Sequence, residues 1–263
     1  MADGASGTWK FEELDDPAFR RIRGLMKRLP SNPRCKLCEA PFGGVGGKIL
    51  ARTGFVPSRK NPNLCNTCFE KGPPGGAEGD IGVLFADVRG YTTLAESLTP
   101  GQAALLLNRF YAAAADALLP RNAIVDKLVG DEVMALFIPP LVRERLHEQM
   151  VEAAHELLRG VGYGGDEEPW LPVGVGLAYG HAFVGNVGAG EIKDFTAVGD
   201  VVNTASRLQA QAAPGTIVMS DAVYRAVAER FPAAEATDLE LKGKSAPVRA
   251  YTVAVAAEAA APG

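Results

Sequence analysis

The stretch Gly72-Pro73-Pro74-Gly75-Gly76 limits what this chain can fold into more than any other feature. Proline lacks the N–H that a helix interior or central strand requires, and glycine offers no side chain to hold one. The sequence therefore divides there, and a linker is expected over residues 72–79. Charge changes at the same place. Residues 1–78 carry 13 Lys and Arg against 8 Asp and Glu, and residues 79–263 carry 14 against 23, giving the net −4 of the 263-residue chain. All four cysteines precede the break. The expected organisation is a small module over 1–71, the linker, a larger domain over 80–256 and a tail of small residues over 257–263.

With 47% hydrophobic and 22% charged residues, the chain holds enough apolar material to offset ordering entropy, which excludes a wholly disordered protein. Met1–Thr8 lacks the apolar segment of a secretory signal. Pro169–Gly190 is uncharged and long enough to cross a bilayer, but its six glycines, Pro172, His181 and Asn186 make it read as paired strands. No membrane span and a cytoplasmic location are expected, and cysteines there are metal ligands or redox groups more often than disulfides. Phe11–Leu29 sets Phe19, Ile22, Leu25, Met26 and Leu29 at helical spacing among Arg20, Arg21, Arg23, Lys27 and Arg28, with Asp16 and Pro17 as cap and first turn. Such a helix could dock on a partner or anionic lipid. A solvated basic face over a small core is the expectation, because charge runs mostly face water.

Beyond the break, strands and helices alternate. Ile81–Val88 reads as a strand ending in a polar turn. Thr99 caps a helix with Pro100 in its first turn, reaching about Leu119 with Leu105, Leu106, Phe110 and Tyr111 inward. Ala123–Val129 and Glu132–Ile138, joined by Gly130-Asp131, read as a hairpin. A second amphipathic helix is expected over Leu141–Arg159. Strands then follow at Val173–Tyr179, His181–Val187 and Asp194–Val198, and a helix at Val201–Gln211. A strand at Thr216–Met219, a helix at Asp221–Glu229, and strands at Leu239–Leu241 and Val248–Val255 complete the set. The opening order βαββαβ predicts an α+β, ferredoxin-like fold, with helices on one face of an antiparallel sheet.

Asp87 ends the first of these strands and Asp131 sits in the hairpin turn. In this topology the first strand and the hairpin are neighbours, so both carboxylates converge at one end. Such a pair suits a hard divalent cation that shares its coordination with phosphates. Gly90 and the N–H groups of Tyr91 and Thr92 open a helix start where a polyphosphate could lie. Taken singly, Asp87 is an ordinary helix cap and Asp131 an ordinary turn former.

They do not stand alone. Phe85-Ala86-Asp87-Val88-Arg89-Gly90-Tyr91-Thr92, Lys127-Leu128-Val129-Gly130-Asp131-Glu132-Val133-Met134 and the run Phe195-Thr196-Ala197-Val198-Gly199-Asp200 through Asn203 to Leu208 occur in order. Leu241-Lys242-Gly243-Lys244 with Pro247-Val248 follows. Together these segments closely resemble the catalytic domain of class III nucleotidyl cyclases, the adenylyl and guanylyl cyclases, from about Asp80 to Val255.

The resemblance implies a site with two Mg²⁺ or Mn²⁺ ions held by Asp87 and Asp131. It implies purine recognition by Lys127 and Thr196, and orientation of the ribose and stabilisation of the transition state by Asn203 and Arg207. Lys242 resembles the lysine on the terminal phosphates, with Lys244 as a nearby alternative. A Lys donor beside a hydroxyl acceptor suits adenine, whereas guanylyl members carry an acidic residue at the Lys position. ATP is therefore the expected substrate and cyclic AMP the product, in intracellular signalling. GTP use, relaxed specificity and a silent nucleotide-binding module are the alternatives. In this family the acidic pair and the Lys, Thr, Asn and Arg come from different subunits. A chain that carries all of them is expected to form a head-to-tail homodimer.

Cys35-Lys36-Leu37-Cys38 and Cys65-Asn66-Thr67-Cys68 form two CxxC knuckles with 26 residues between the inner cysteines. Such a set gives tetrahedral S₄ coordination, with structural Zn²⁺ as the usual occupant and an Fe–S centre as the alternative. Gly43-Gly44-Val45-Gly46-Gly47 lacks the strand and Lys-Ser/Thr of a phosphate loop and reads as a flexible turn. Arg34, Lys36, Lys48, Arg52, Arg59 and Lys60 with few aromatics make a thin case for nucleic acid. The module is expected to regulate the catalytic domain or to dock a regulatory protein or ligand.

Overall fold

The computed structural model describes residues 8–10, 17–58, 61–69, 75–142, 144–189, 192–244 and 246–255. The chain forms two compact units, one of Met1–Asp80, Pro139–Leu141 and His181–Gly199, the other of Ile81–Ile138, Val142–Gly180 and Asp200–Gly263.

The first unit opens with β1 (Thr8–Lys10), α1 (Pro17–Lys27), α2 (Gly44–Ala51) and α3 (Asn66–Phe69). Next comes β2 (Gly75–Val88), whose Gly76–Glu78 pairs in parallel with β1. The expected linker is thus a strand from Gly75 onward, while 72–74, Asp16 and the tail beyond 255 lie outside the described residues. The reason is a close approach. A Cβ at Gly76 would sit 2.1 Å from the Val184 carbonyl oxygen and 2.7 Å from Gly185 Cα, so glycine here permits packing where it was expected to interrupt it. The run Gly43-Gly44-Val45-Gly46-Gly47, expected as a flexible turn, is instead the N-cap and first turn of a helix. Gly44–Gly47 begin α2, where a Cβ on Gly47 would meet the Phe42 carbonyl carbon at 2.5 Å. On α1, Ile22 and Leu25 are exposed and Met26 is half-buried, as is Leu29 just beyond its end.

The second unit contains α4 (Tyr91–Glu96), α5 (Pro100–Leu118), β3 (Ile124–Val129), β4 (Glu132–Phe137) and, after α6 (Pro139–Val142), α7 (Leu146–Gly160). Thr99 and Gln102 form a capping box at the start of α5, satisfying two otherwise orphaned N–H groups. The single helix expected over 141–159 is broken, because Arg145 adopts a left-handed conformation (φ 57°) and turns the chain before α7. Leu105, expected inward on α5, is 71% exposed, whereas Phe110, Ala114 and Leu118 are buried.

Next comes β5 (Val173–Ala189), one strand where two were expected. Val175–Leu177 pairs with β7 and Phe183–Ala189 with β6, so strand partners lie on both sides of Gly180. The remaining elements are β6 (Ile192–Val198), α8 (Asp200–Gln211), β7 (Thr216–Ser220), α9 (Asp221–Val227), β8 (Glu235–Leu239) and β9 (Val248–Ala254). The strand expected at 239–241 therefore lies earlier, where Glu235–Leu239 pairs with β9. The main sheet runs β3-β4-β2-β5-β7-β9-β8, with β6 paired to β5. Its core centres on Leu84, Phe110, Leu118, Phe137, Met150, Leu157 and Leu158, all fully buried. The order β2, α5, β3, β4, α7, β5 is the ferredoxin-like βαββαβ.

Candidate active site

The strand order sets β2 beside β4, with Asp87 opposite Glu132. Val88 N donates to the Asp131 carbonyl at 3.3 Å, so the Asp87 end of β2 and the β3–β4 turn lie together. Gly130 in that turn has φ 60°, the left-handed region that favours glycine. The Tyr111 hydroxyl on α5 donates to the Gly130 carbonyl and ties the turn to the helix. Burial first, then the charge of Asp87, push the Asp131 carboxyl above its ordinary range, with Arg89 pulling the other way. Glu132 is pushed up by burial and by both aspartates. Arg89 Nη2 donates to Asp87 Oδ1 at 2.5 Å. Carboxylate oxygens crowded in this way are a donor set for a hard divalent cation. Gly90 (φ 71°) starts the short helix α4, on which Tyr91 is half-buried and Thr92 exposed.

Lys127 follows a β-bulge, a register shift between Val125 and Lys127 on β3. The bulge buries Asp126, 4% exposed, and sets the Lys127 ammonium 3.3 Å from its carboxylate. Thr196 is half-buried on β6, opposite Gly185 of β5.

α8 buries Val201, Thr204, Ala205, Leu208 and Gln209, which leaves Asn203 exposed and Arg207 half-buried on its other side. The helix rests directly on β5: a Cβ at Gly176 would lie 2.2 Å from Gln209 N and 2.4 Å from the Ala205 carbonyl oxygen. The Arg207 guanidinium reaches the 241–244 loop, with Nη2 3.3 Å from the Cβ position of Gly243. In that loop Lys244 is paired with Asp200, and Lys242 is exposed beside an open depression of about 360 Å³. The sequence singled out both aspartates, Asn203 and Arg207. It did not single out Arg89, Glu132, Asp126 or the Asp200–Lys244 pair; Arg89, two residues beyond Asp87, was the available signal.

The four cysteines form a second centre. All four Sγ atoms lie within 4.8 Å of one another, and Cys35, Cys38 and Cys65 are buried. Cys65 N donates to Cys35 Sγ at 3.3 Å and Cys68 N to Cys65 Sγ at 3.4 Å. Hydrogen bonds from Cys38, Cys65 and Cys68 hold the Cys35 thiol well below the usual thiol range; bonding to Cys35 first pushes Cys38 and Cys68 well above it. Sulfurs that compete for protons in this way ionise together only around a cation.

The family model described as the adenylate and guanylate cyclase catalytic domain matches residues 76–254. The chain belongs to this family. The match starts one residue after β2 begins. The chain is 31% identical over 184 residues to the uncharacterised protein Rv1318c of Mycobacterium tuberculosis, covering 68% of this chain and 34% of that protein. It is 30% identical over 243 residues to Rv1320c of the same organism, covering 90% of this chain and 38% of that one. It spans little more than a third of the length of these relatives. Among solved structures, the guanylyl cyclase Cya2 is similar with a TM-score of 0.62 and 27% identity, covering 71% of this chain and 97% of that one. The adenylyl cyclase CyaB from P. aeruginosa is similar with a TM-score of 0.57 and 28% identity, covering 66% and 93%. No helix among the described residues is long and apolar enough to cross a membrane.

Proposed function

We propose that the cyclase converts ATP to 3′,5′-cyclic AMP and pyrophosphate, at sites shared between two head-to-tail copies. The convergence of Asp87 and Asp131 at one end of the sheet carries the reading. Two divalent cations, Mg²⁺ or Mn²⁺, bound to this pair would supply Lewis acidity toward the ribose 3′-hydroxyl and the phosphate oxygens.

The remaining roles fall to side chains. Asn203 orients the ribose so that its 3′-oxygen lies in line with the bond to be broken. The 3′-oxygen loses its proton to solvent water and bonds to the α-phosphorus, and the bond from that phosphorus to the bridging oxygen breaks, releasing pyrophosphate. Arg207, four residues along the same helix, offers its fork of donors to the charge that grows on the phosphate oxygens. Lys242 meets the departing pyrophosphate, since Lys244 is engaged by Asp200. The N–H groups at Gly90, Tyr91 and Thr92 add donors to the same phosphates. Lys127 donates to adenine N1 and the Thr196 hydroxyl accepts from N6. Leu128 and Val129, 46% and 61% exposed beside the Asp131 turn, and Leu105 at 71% support a covering second copy.

The test is product formation by the purified protein from ATP and from GTP with each cation. Cyclic AMP is expected, with kcat/KM for ATP at least about tenfold above that for GTP. A preference for GTP would reject the assignment of Lys127 and Thr196. Nucleotide binding without turnover under any cation would make the domain a regulatory module.

A further inference from the structure

The cysteine centre and the hairpin that bears Thr196 belong to one compact unit, which contains Met1–Asp80 and His181–Gly199. Two observations on that unit point to one device.

The first is the spacing of the sulfurs. Around one ion with metal–sulfur bonds of about 2.3 Å, tetrahedral ligands stand about 3.8 Å apart. Cys38 and Cys65 Sγ are 3.7 Å apart, and no two of the four ligand atoms exceed 4.8 Å. A cluster of two or four irons distributes its cysteines over different irons and needs a wider set. Buried thiols of this geometry, with backbone N–H groups directed at Cys35 and Cys65 Sγ, fit a single soft, tetrahedral ion.

The second is the aromatic contact next to it. Phe69 directly follows the ligand Cys68 on α3 and is 2% exposed. Its ring centroid lies 4.7 Å from that of Phe195, which directly precedes Thr196 on β6. The chain leaving the module then lies flush on the same hairpin, where Val184 and Gly185 leave no room for a Cβ at Gly76. One peptide link from Cys68 to Phe69, one ring contact and one peptide link from Phe195 to Thr196 separate the sulfurs from the backbone of Thr196.

We propose that Cys35, Cys38, Cys65 and Cys68 bind one zinc ion, and that this ion fixes the β5–β6 hairpin through Phe69 and Phe195, so that zinc occupancy sets nucleotide affinity. The last step rests on the reading of Thr196 as a purine-contacting residue; the first two do not. Phe69 is a positioning residue that acts through Phe195.

The experiment uses the full chain. Elemental analysis is expected to give one zinc per chain, and cobalt substitution the visible bands of a tetrahedral thiolate site. Phe69→Ala is expected to keep its zinc, to lose about tenfold in affinity for a non-cyclisable ATP analogue, and to exchange backbone amides faster over 192–198. Cys65→Ser is expected to lose zinc and show the same two changes; if it fails to fold, Phe69→Ala still decides the matter. Iron in place of zinc, or no metal, overturns the first step. Unchanged amide exchange at 192–198 in zinc-replete Phe69→Ala overturns the second. If the parent chain binds no nucleotide while zinc content and exchange behave as stated, the ATP reading fails and the zinc-to-hairpin link stands.

Discussion

The carboxyl group of Asp131 is raised above the ordinary carboxylate range, chiefly by burial and then by Asp87. A carboxylate raised in the folded state adds stability below its unfolded value and loses it as pH climbs through the folded one. Above that window the ionised Asp131 works against the metal-free fold. Under the proposed two-cation reading, Asp131→Asn should cut turnover at least about a hundredfold. In metal-free protein it should also raise the melting temperature slightly at pH 7–8, the effect being small because water screens a half-exposed carboxyl, and the gain fades below about pH 4. Calorimetry across that range, alongside turnover, checks both signs; a lower melting temperature at pH 7 would reject the argument. The aspartates were legible in the sequence because turn chemistry and strand order fix where they lie. Arg89 and Asp126 were not, since an ion pair and a bulge depend on how neighbouring strands slip past each other.

Secondary structure was legible wherever an element satisfies itself locally. The capping box of α5, the β3–β4 hairpin and α8 follow from their own residues. Elements defined by their partners were misread. Glycines at 75–76 and 180 lie inside strands because β1, β6 and β7 pair with β2 and β5, and no local rule reports that. Gly176 is another case, and it sets how closely α8 approaches β5. Gly176→Ala would push a methyl group into the backbone of α8 at Ala205 and Gln209, moving the helix that carries Asn203 and Arg207. The expected result is about 1–3 kcal/mol of lost stability and a fall in kcat of about a hundredfold, with little change in cation affinity. Denaturant titration and steady-state kinetics test this; unchanged kcat would mean that β5 yields and the helix stays.

At the scale of the whole molecule, the proposed dimer predicts rescue between inactive partners. Chains with Asp87→Ala and chains with Arg207→Ala are each expected to be inactive, and their mixture to regain about a quarter of wild-type activity. Half of a random mixture is heterodimer, in which one of two sites is intact. No recovery in a mixture shown to contain heterodimers would place each complete site within one chain. A boundary drawn at residue 79 also cuts through β2, so the cysteine module and the cyclase domain are less separable than the break in composition implies. The Phe69–Phe195 contact joins residues 126 positions apart in sequence, which gives it a consequence during synthesis. At about 5–20 residues per second, the ribosome delivers Phe195 roughly 6–25 s after Phe69. For that interval Phe69 stands without the ring it later packs against. In the proposed zinc site, all four ligands are therefore made well before the hairpin that the ion is proposed to fix.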